Sequence, residues 1–294
     1  MKTIELVEVS PRDGLQNEPR IMTTEDKIEL VRRAVDAGAR RIEVASFVHP
    51  GKVPQMADAE AVVAGLPCGA ARYTGLVLNK RGALRALETA IDEIGVVCAA
   101  SDVFGLRNQG LNADDSLAMA CEVIRFCHQQ GRPAQATIAV AFGCPFEGAV
   151  APARVIAMAR RIAEAGAIEV AIADTIGIAR PGEVRQLAAA VAAAVAPLPL
   201  RVHFHDTRGM GVANVMTAVD AGATIVDAAI GGTGGCPFAP GAAGNVASED
   251  VAYALGDAAG VDIAKLVETA LWLNSRLERE QTSAVTRAFA GGAC

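Results

Sequence analysis

Aromatic residues make up only 4% of the 294 positions, with one Trp and two Tyr. A large core therefore has to be packed from Ala, Val, Leu and Ile, side chains that suit repeated helix-on-sheet packing. Apolar residues reach 52%, enough for such a core. The seven cysteines (Cys68, Cys98, Cys121, Cys127, Cys144, Cys236 and Cys294) are odd in number and contain no Cys-x-x-Cys pair. Their pattern argues against a disulfide framework or a zinc finger and for a reducing, cytoplasmic setting. No apolar run approaches the ~20 residues of a membrane span. The N-terminal MKTIELVEV lacks the long apolar stretch of a signal peptide and reads as a strand. Acidic and basic residues are mixed, the net charge is −6, and there is no basic stripe or polybasic helix. Neither a nucleic-acid partner nor a membrane partner is expected. No Gly-x-Gly-x-x-Gly follows the first strand, which weighs against a dinucleotide fold. No linker or low-complexity stretch divides the chain.

What is present is an alternation. Short β-rich runs fall at 3–9, 41–46, 72–78, 94–100, 134–142, 168–173, 200–205 and 224–230. Helical, Ala/Leu-rich runs fall at 24–37, 57–64, 80–90, 114–130, 152–166, 181–195, 209–221 and 246–257. Thr24 and Asp114 read as helix-opening caps. Glycines close several helices, in AGA at 37–39, QQG at 129–131 and AGA at 165–167 and 221–223. Eight strands alternating with eight helices predict an α/β fold, a (β/α)8 TIM barrel, in which about 250 residues form one unit. The chain reads as one domain over 1–294, with 260–294 as a helical extension that covers the barrel or an interface.

In such a barrel, chemistry sits on the loops beyond the C-terminal strand ends. His203-Phe204-His205 ends the seventh strand, and alternation points both imidazoles to one face, roughly 6.5–7 Å apart along the strand. Two of the four histidines sit in this tripeptide, an arrangement suited to gripping one metal ion. Asp206 faces away and reads as a helix cap or a group supporting the ligands. Arg12-Asp13-Gly14 follows the first strand. Asp13 offers a carboxylate to the same ion, and Arg12 a fork of donors for a carbonyl, enolate or carboxylate; alone, the string would read as a turn. Asn245 follows the glycine-rich GGTGGCPFAPGAAGN and reads as either a neutral oxygen ligand or a helix cap. Asp, two His and Asn without thiolate favour Mg2+ or Mn2+, with Co2+ or Zn2+ as alternatives, over a structural zinc. Cys236, in the same glycine-rich segment, is either a proton-shuttling thiol on a lid or a packed side chain. Glu43 in the second strand and Asp174 at the end of the sixth are acid/base or supporting carboxylates. His49 lies in a rim loop and His128 on an amphipathic helix.

Six strings carry a wider resemblance: SPRDGLQNE at 10–18, IEVASFVHPGKVPQMAD at 42–58, GCPFEG at 143–148, ADTIG at 173–177, HFHDTRG at 203–209 and GGTGGCPFAPGAAGNVASED at 231–250. Together they resemble the 3-hydroxy-3-methylglutaryl-CoA lyase family over nearly the whole chain. The resemblance implies a metal-dependent retro-Claisen cleavage giving acetyl-CoA and acetoacetate, an acyl-CoA substrate and a homodimer. It implies Asp13, His203, His205 and Asn245 as metal ligands, and Arg12 as the group steadying the enolate. It implies Cys236 in proton transfer, and Glu43 and Asp174 as carboxylates near the substrate. The first proton acceptor stays open among Asp13, His203 and a water.

The sequence departs from that family in SDVFGLRNQGLNADDSL after the fourth strand, in Pro19 and in Arg208. These departures leave room for a related 3-hydroxyacyl-CoA of the methylmalyl type. A sibling aldolase or Claisen synthase acting on a 2-oxo acid is the alternative chemistry, and the Cys236 segment argues against it. A metal hydrolase would need more histidines, and a binding-only barrel would predict a broken ligand set. No CoA-binding motif is legible; Arg20 and Lys52 are rim candidates. Cys294 reads as a thiol on a tail.

Overall fold

The computed structural model describes residues 3–235, 244–280 and 282–291. Eight parallel strands close into a barrel in chain order: β1 (Glu5–Glu8), β2 (Arg41–Ser46), β3 (Arg72–Val77), β4 (Glu93–Ala99), β5 (Ala134–Ala139), β6 (Val170–Asp174), β7 (Leu200–Phe204) and β8 (Ile225–Ala228). Closure comes from β1, which pairs with both β2 and β8. The helices are α1 (Thr24–Asp36), α2 (Ala59–Ala64), α3 (Lys80–Leu87), α4 (Asp102–Gln109), α5 (Ala113–Gln129), α6 (Pro152–Glu164), α7 (Pro181–Val195), α8 (Gly211–Asp220), α9 (Ser248–Leu255), α10 (Ile263–Leu277) and α11 (Ala284–Ala290).

The expected glycine stops are all present: Gly38, Gly131, Gly166 and Gly222 adopt φ of 104°, 69°, 94° and 112°. In this left-handed region a Cβ is costly. The helix starts correct the cap assignments. Thr23, not Thr24, caps α1 by accepting from the Asp26 amide at 3.1 Å. Asn112, not Asp114, caps α5 by accepting from the Asp115 amide at 2.8 Å. A larger correction is α4, which folds within what reads as a loop. It buries only Phe104 and Gly105, so its sequence shows no amphipathic stripe. Of the extension, α10 packs against α1, α9 and α11. The Arg33 guanidinium lies 4.8 Å from the Trp272 ring centre. The extension thus covers the flank of the barrel.

Most of the apolar core lies between the sheet and its helices, in one large cluster. A separate small group, Val7, Val9, Ile225 and Ala229, belongs to β1, β8 and the residues that follow them. The barrel interior is ionic. Arg41 donates to both oxygens of Glu169 at 2.7 and 2.9 Å and to Glu93 at 2.7 Å. Arg201 donates to Glu169 at 3.3 Å and to Asp227. All five are buried. Each charge has at least two opposite partners, or one partner and a further hydrogen bond, which makes their removal from water tolerable.

Candidate active site

The first link is local. After β1 the chain makes a single π-type turn over Ser10–Gly14, with the amides of Asp13 and Gly14 both donating to the Val9 carbonyl at 2.8 and 3.1 Å. Such one-turn π segments recur at functional positions. This one turns Arg12 and Asp13 to the barrel mouth. Gly14 sits against Thr233, where a Cβ would come within 2.4 Å of Oγ1, so the close approach of the two loops needs glycine.

Arg12 is clamped between carboxylates. Its Nη1 donates to Asp13 Oδ1 at 2.6 Å, and its Nε and Nη2 engage Glu43. From the far end of the chain, Asn245 Nδ2 donates to Asp13 Oδ2 at 2.9 Å and to the Thr233 carbonyl at 3.0 Å. His205, one residue past β7, pairs with Asn245 through an isolated antiparallel bridge. The rings of His203 and His205 lie 5.3 Å apart, with 53° between their planes. His203 Nε2 is 3.8 Å from Asp13 Oδ2. Asp13, His203 and His205 each present a ligand atom, all within 4.8 Å of one another.

The electrostatics suit a cation. Burial opposes ionisation of Asp13, but Arg12, His203, His205 and the Asn245 hydrogen bond outweigh it and hold the carboxyl well below the usual range. Burial, then the neighbouring His203, lowers His205 to about 4, so its ring is neutral near pH 7. For His203 burial works downward, but the Asp227 hydrogen bond and the charges of Asp13 and Asp227 raise it. His205 Nδ1 and Asn245 Oδ1 are buried without a hydrogen-bond partner among the described residues. Two orphaned lone pairs beside an ionised carboxylate fit a hard divalent ion.

These residues line a cavity of about 460 Å³ with Arg12, Asp13, Glu43, His203, His205 and Asp227 in its wall. Asp227 is a residue that sequence reasoning missed; its Oδ2 lies 3.1 Å from His203 Nδ1. Also missed were Gln16, Asn17, Arg107 and Asn108, the last two carried by α4. Lys52 lines the cavity, whereas Arg20 is exposed and paired with Glu278. Asp174 ends β6. Its oxygens accept from the amides of Ile178 and Ala179 at 3.0 and 2.9 Å, so it holds the turn after β6. Burial raises its carboxyl despite those bonds. Asp206 accepts from the Gly211 amide at the start of α8 at 2.6 Å, although the cap position itself is held by Met210. His49 is exposed and accepts from the Gly51 amide at 3.1 Å, and His128 is exposed on α5. Cys236 and Cys294 lie outside the described residues. Arg208 donates to the Gly177 carbonyl at 2.8 Å and ties together the loops after β6 and β7.

A closed parallel barrel with a mixed oxygen and nitrogen cluster at its C-terminal mouth defines an enzyme-type (β/α)8 barrel with a candidate divalent-metal centre. The chain belongs to the HMGL-like family, whose model matches residues 3–277. It is 38% identical to the 3-hydroxy-3-methylglutaryl-CoA lyase, cytoplasmic, of Mus musculus, over 97% of this chain and 84% of that protein. The crystal structure of hydroxymethylglutaryl-CoA lyase from Pseudomonas aeruginosa superposes with a TM-score of 0.94 at 39% identity, covering 99% and 98% of the two chains. An HMG-CoA lyase from Acinetobacter baumannii, in complex with coenzyme A and 3-methylmalate, matches with a TM-score of 0.92 at 36% identity, over 97% and 95%. Among the described residues, no helix is long and apolar enough to cross a membrane.

Proposed function

We propose that the chain cleaves 3-hydroxy-3-methylglutaryl-CoA to acetyl-CoA and acetoacetate. The observation that carries this reading is the convergence of Asp13, His203 and His205 with Asn245 and the clamped Arg12 at the barrel mouth. Asp13, His203, His205 and Asn245 are the proposed ligands. A bound Mg2+ or Mn2+ would supply Lewis acidity at the substrate hydroxyl and fix its geometry. The hydroxyl proton passes to a base and the bond between C2 and C3 breaks. C3 becomes the ketone of acetoacetate, and the electron pair moves into the thioester enolate. Arg12, its fork oriented by Glu43 and Asp13, donates to that oxygen as charge develops. Cys236 then returns a proton to the carbon, giving acetyl-CoA. Asp174 supports this wall from behind through the turn after β6.

The cavity accepts the acyl end, with Lys52 at its wall as a contact for the CoA arm. That a similar lyase is solved with coenzyme A supports an acyl-CoA substrate. We propose that residues 1–294 act as one unit, as a cytoplasmic homodimer. Relatives are named both cytoplasmic and mitochondrial, and the odd cysteine count without a Cys-x-x-Cys pair is what favours the cytoplasm. A methylmalyl-type CoA ester is the second reading. It is favoured by α4, which sets Arg107 and Asn108 in the cavity wall, and by the 3-methylmalate in the Acinetobacter relative.

The test is a coupled assay for acetoacetate from 3-hydroxy-3-methylglutaryl-CoA, with Mg2+ or Mn2+, after EDTA, and with Cys236→Ala. Metal-dependent product that the variant loses supports the reading. A folded, metal-loaded protein without turnover overturns this substrate and directs the assay to methylmalyl-type esters.

A further inference from the structure

The barrel places a carboxylate behind one of the two histidines and then immobilises it. The β7–β8 register sets His203 directly beside Asp227. Arg201, two residues before His203, falls on the same face of β7. The result is a relay. Asp227 Oδ2 meets His203 Nδ1 at 3.1 Å, and its Oδ1 is engaged by Arg201 Nε. Arg201 reaches Glu169 at 3.3 Å, and Glu169 is held from the other side by both arms of Arg41. Arg41 is anchored in turn on Glu93 at 2.7 Å.

A guanidinium has only donors and an ionised carboxylate only accepts. Asp227, taken at one oxygen by Arg201, therefore offers His203 an acceptor. The proton of the neutral imidazole then sits on Nδ1. Its lone pair sits on Nε2, the atom that faces Asp13 at 3.8 Å. His205 Nδ1, by contrast, is buried without a hydrogen-bond partner among the described residues, which leaves it free to face the ion.

We propose that Asp227 is a positioning residue, locked by the Arg201–Glu169–Arg41 relay, that holds His203 with Nε2 presented to the metal. The proposal rests on the metal reading of Asp13, His203 and His205. It adds that the ionic interior sets the geometry of the centre, and so explains why charges stand where a barrel of this kind usually packs branched apolar side chains. Partners of this kind, behind a ligating histidine, typically change metal affinity by about 10- to 100-fold.

The test reads metal binding and ring chemistry, not turnover. Nitrogen-15 spectra of histidine-labelled protein loaded with Mg2+, at mildly alkaline pH, should show His203 protonated on Nδ1. A proton found on Nε2 overturns the proposal. Mn2+ titration by calorimetry is run on wild type, Asp227→Asn and the double variant Asp227→Leu with Arg201→Met. The double variant replaces the buried ion pair with apolar groups, so it folds even where a lone Asp227 substitution strands the arginine. Expected is a loss of Mn2+ affinity of about 10- to 100-fold in the folded double variant. Affinity equal to wild type there overturns the proposal while leaving the metal centre standing. Failure of wild type itself to bind Mn2+ overturns the metal reading and this inference with it.

Discussion

Asn245 Nδ2 stands 2.9 Å from Asp13 Oδ2, a hydrogen bond between residues 232 positions apart in the chain. It joins the loop after β1 to the segment after β8, the two strands whose pairing closes the barrel. Because the amide nitrogen is committed to Asp13 and to the Thr233 carbonyl, the carboxamide oxygen is the end left without a hydrogen-bond partner among the described residues. Asn245→Ala removes both the strut on Asp13 and that free oxygen. Mn2+ affinity should fall by about 10- to 100-fold, with the melting temperature changed by no more than a few degrees. Calorimetric titration checks it, and unchanged affinity would show that Asn245 is only a cap.

Arg12 gives a second prediction. Its guanidinium is held by Glu43 on one side and Asp13 on the other, which leaves a planar, pre-aimed fork. Lysine keeps the charge but presents a point donor on a flexible stem and cannot span both carboxylates. Arg12→Lys should lower kcat by about 100- to 1000-fold, the range for loss of one donor to a developing oxyanion. KM should move little, since the interaction forms in the transition state. Steady-state kinetics decide it; a rise in KM at constant kcat would assign Arg12 to ground-state binding.

The legible part of this molecule was the part governed by local pattern. Strand and helix alternation, the glycine stops and the chemical residues at strand ends all follow from periods of about 2 and 3.6 residues and from where a barrel exposes its loops. What stayed hidden depends on closure. Asp227 reads as one polar residue in an apolar strand, and Arg41 and Glu169 are 128 residues apart. Only the closed sheet turns them toward one another. Asp174 was legible as a carboxylate at a strand end, but its engagement by the amides of Ile178 and Ala179 is a matter of turn geometry. Helix α4 was missed because only Phe104 and Gly105 are buried, leaving no stripe to detect.

Gly244 supplies a third prediction. A Cβ there would meet the backbone oxygens of Gly234 at 2.2 Å and Gly232 at 2.4 Å. Both obstacles are main chain and cannot swing aside, so Gly244→Ala must push apart the two limbs that lead into the Cys236 segment. Its neighbours Asn245 and Asp206 are tied to this place; the Asp206 amide donates to the Gly244 carbonyl at 3.0 Å. The variant should fold, because the barrel strands lie elsewhere, yet lose metal affinity and lyase activity together. Circular dichroism beside Mn2+ titration tests it. Wild-type Mn2+ affinity in the variant would mean that the limbs separate without moving Asn245.

Glu249 supplies a stability prediction with a definite sign. It is buried on α9, accepting from the Gly231 amide at 3.1 Å through Oε2 and from Thr286 Oγ1 at 2.8 Å through Oε1. It thereby joins α11 to the turn after β8. Burial raises its carboxyl to about 7 despite these bonds, whereas in an unfolded chain it titrates at about 4.3. Between those values the folded chain holds a proton that the unfolded chain has released. Stability from this group is therefore full below about pH 4.3, falls as pH rises, and levels off once the folded carboxyl ionises near pH 7. The span corresponds to a loss on the order of 4 kcal/mol. Glu249→Gln keeps an acceptor for Gly231 or Thr286 and removes the titration. Melting curves between about pH 5 and pH 8 should fall less steeply with pH for Glu249→Gln than for wild type, the variant being the more stable protein at the alkaline end. Parallel curves would show that Glu249 ionises in the folded chain as it does in the unfolded one.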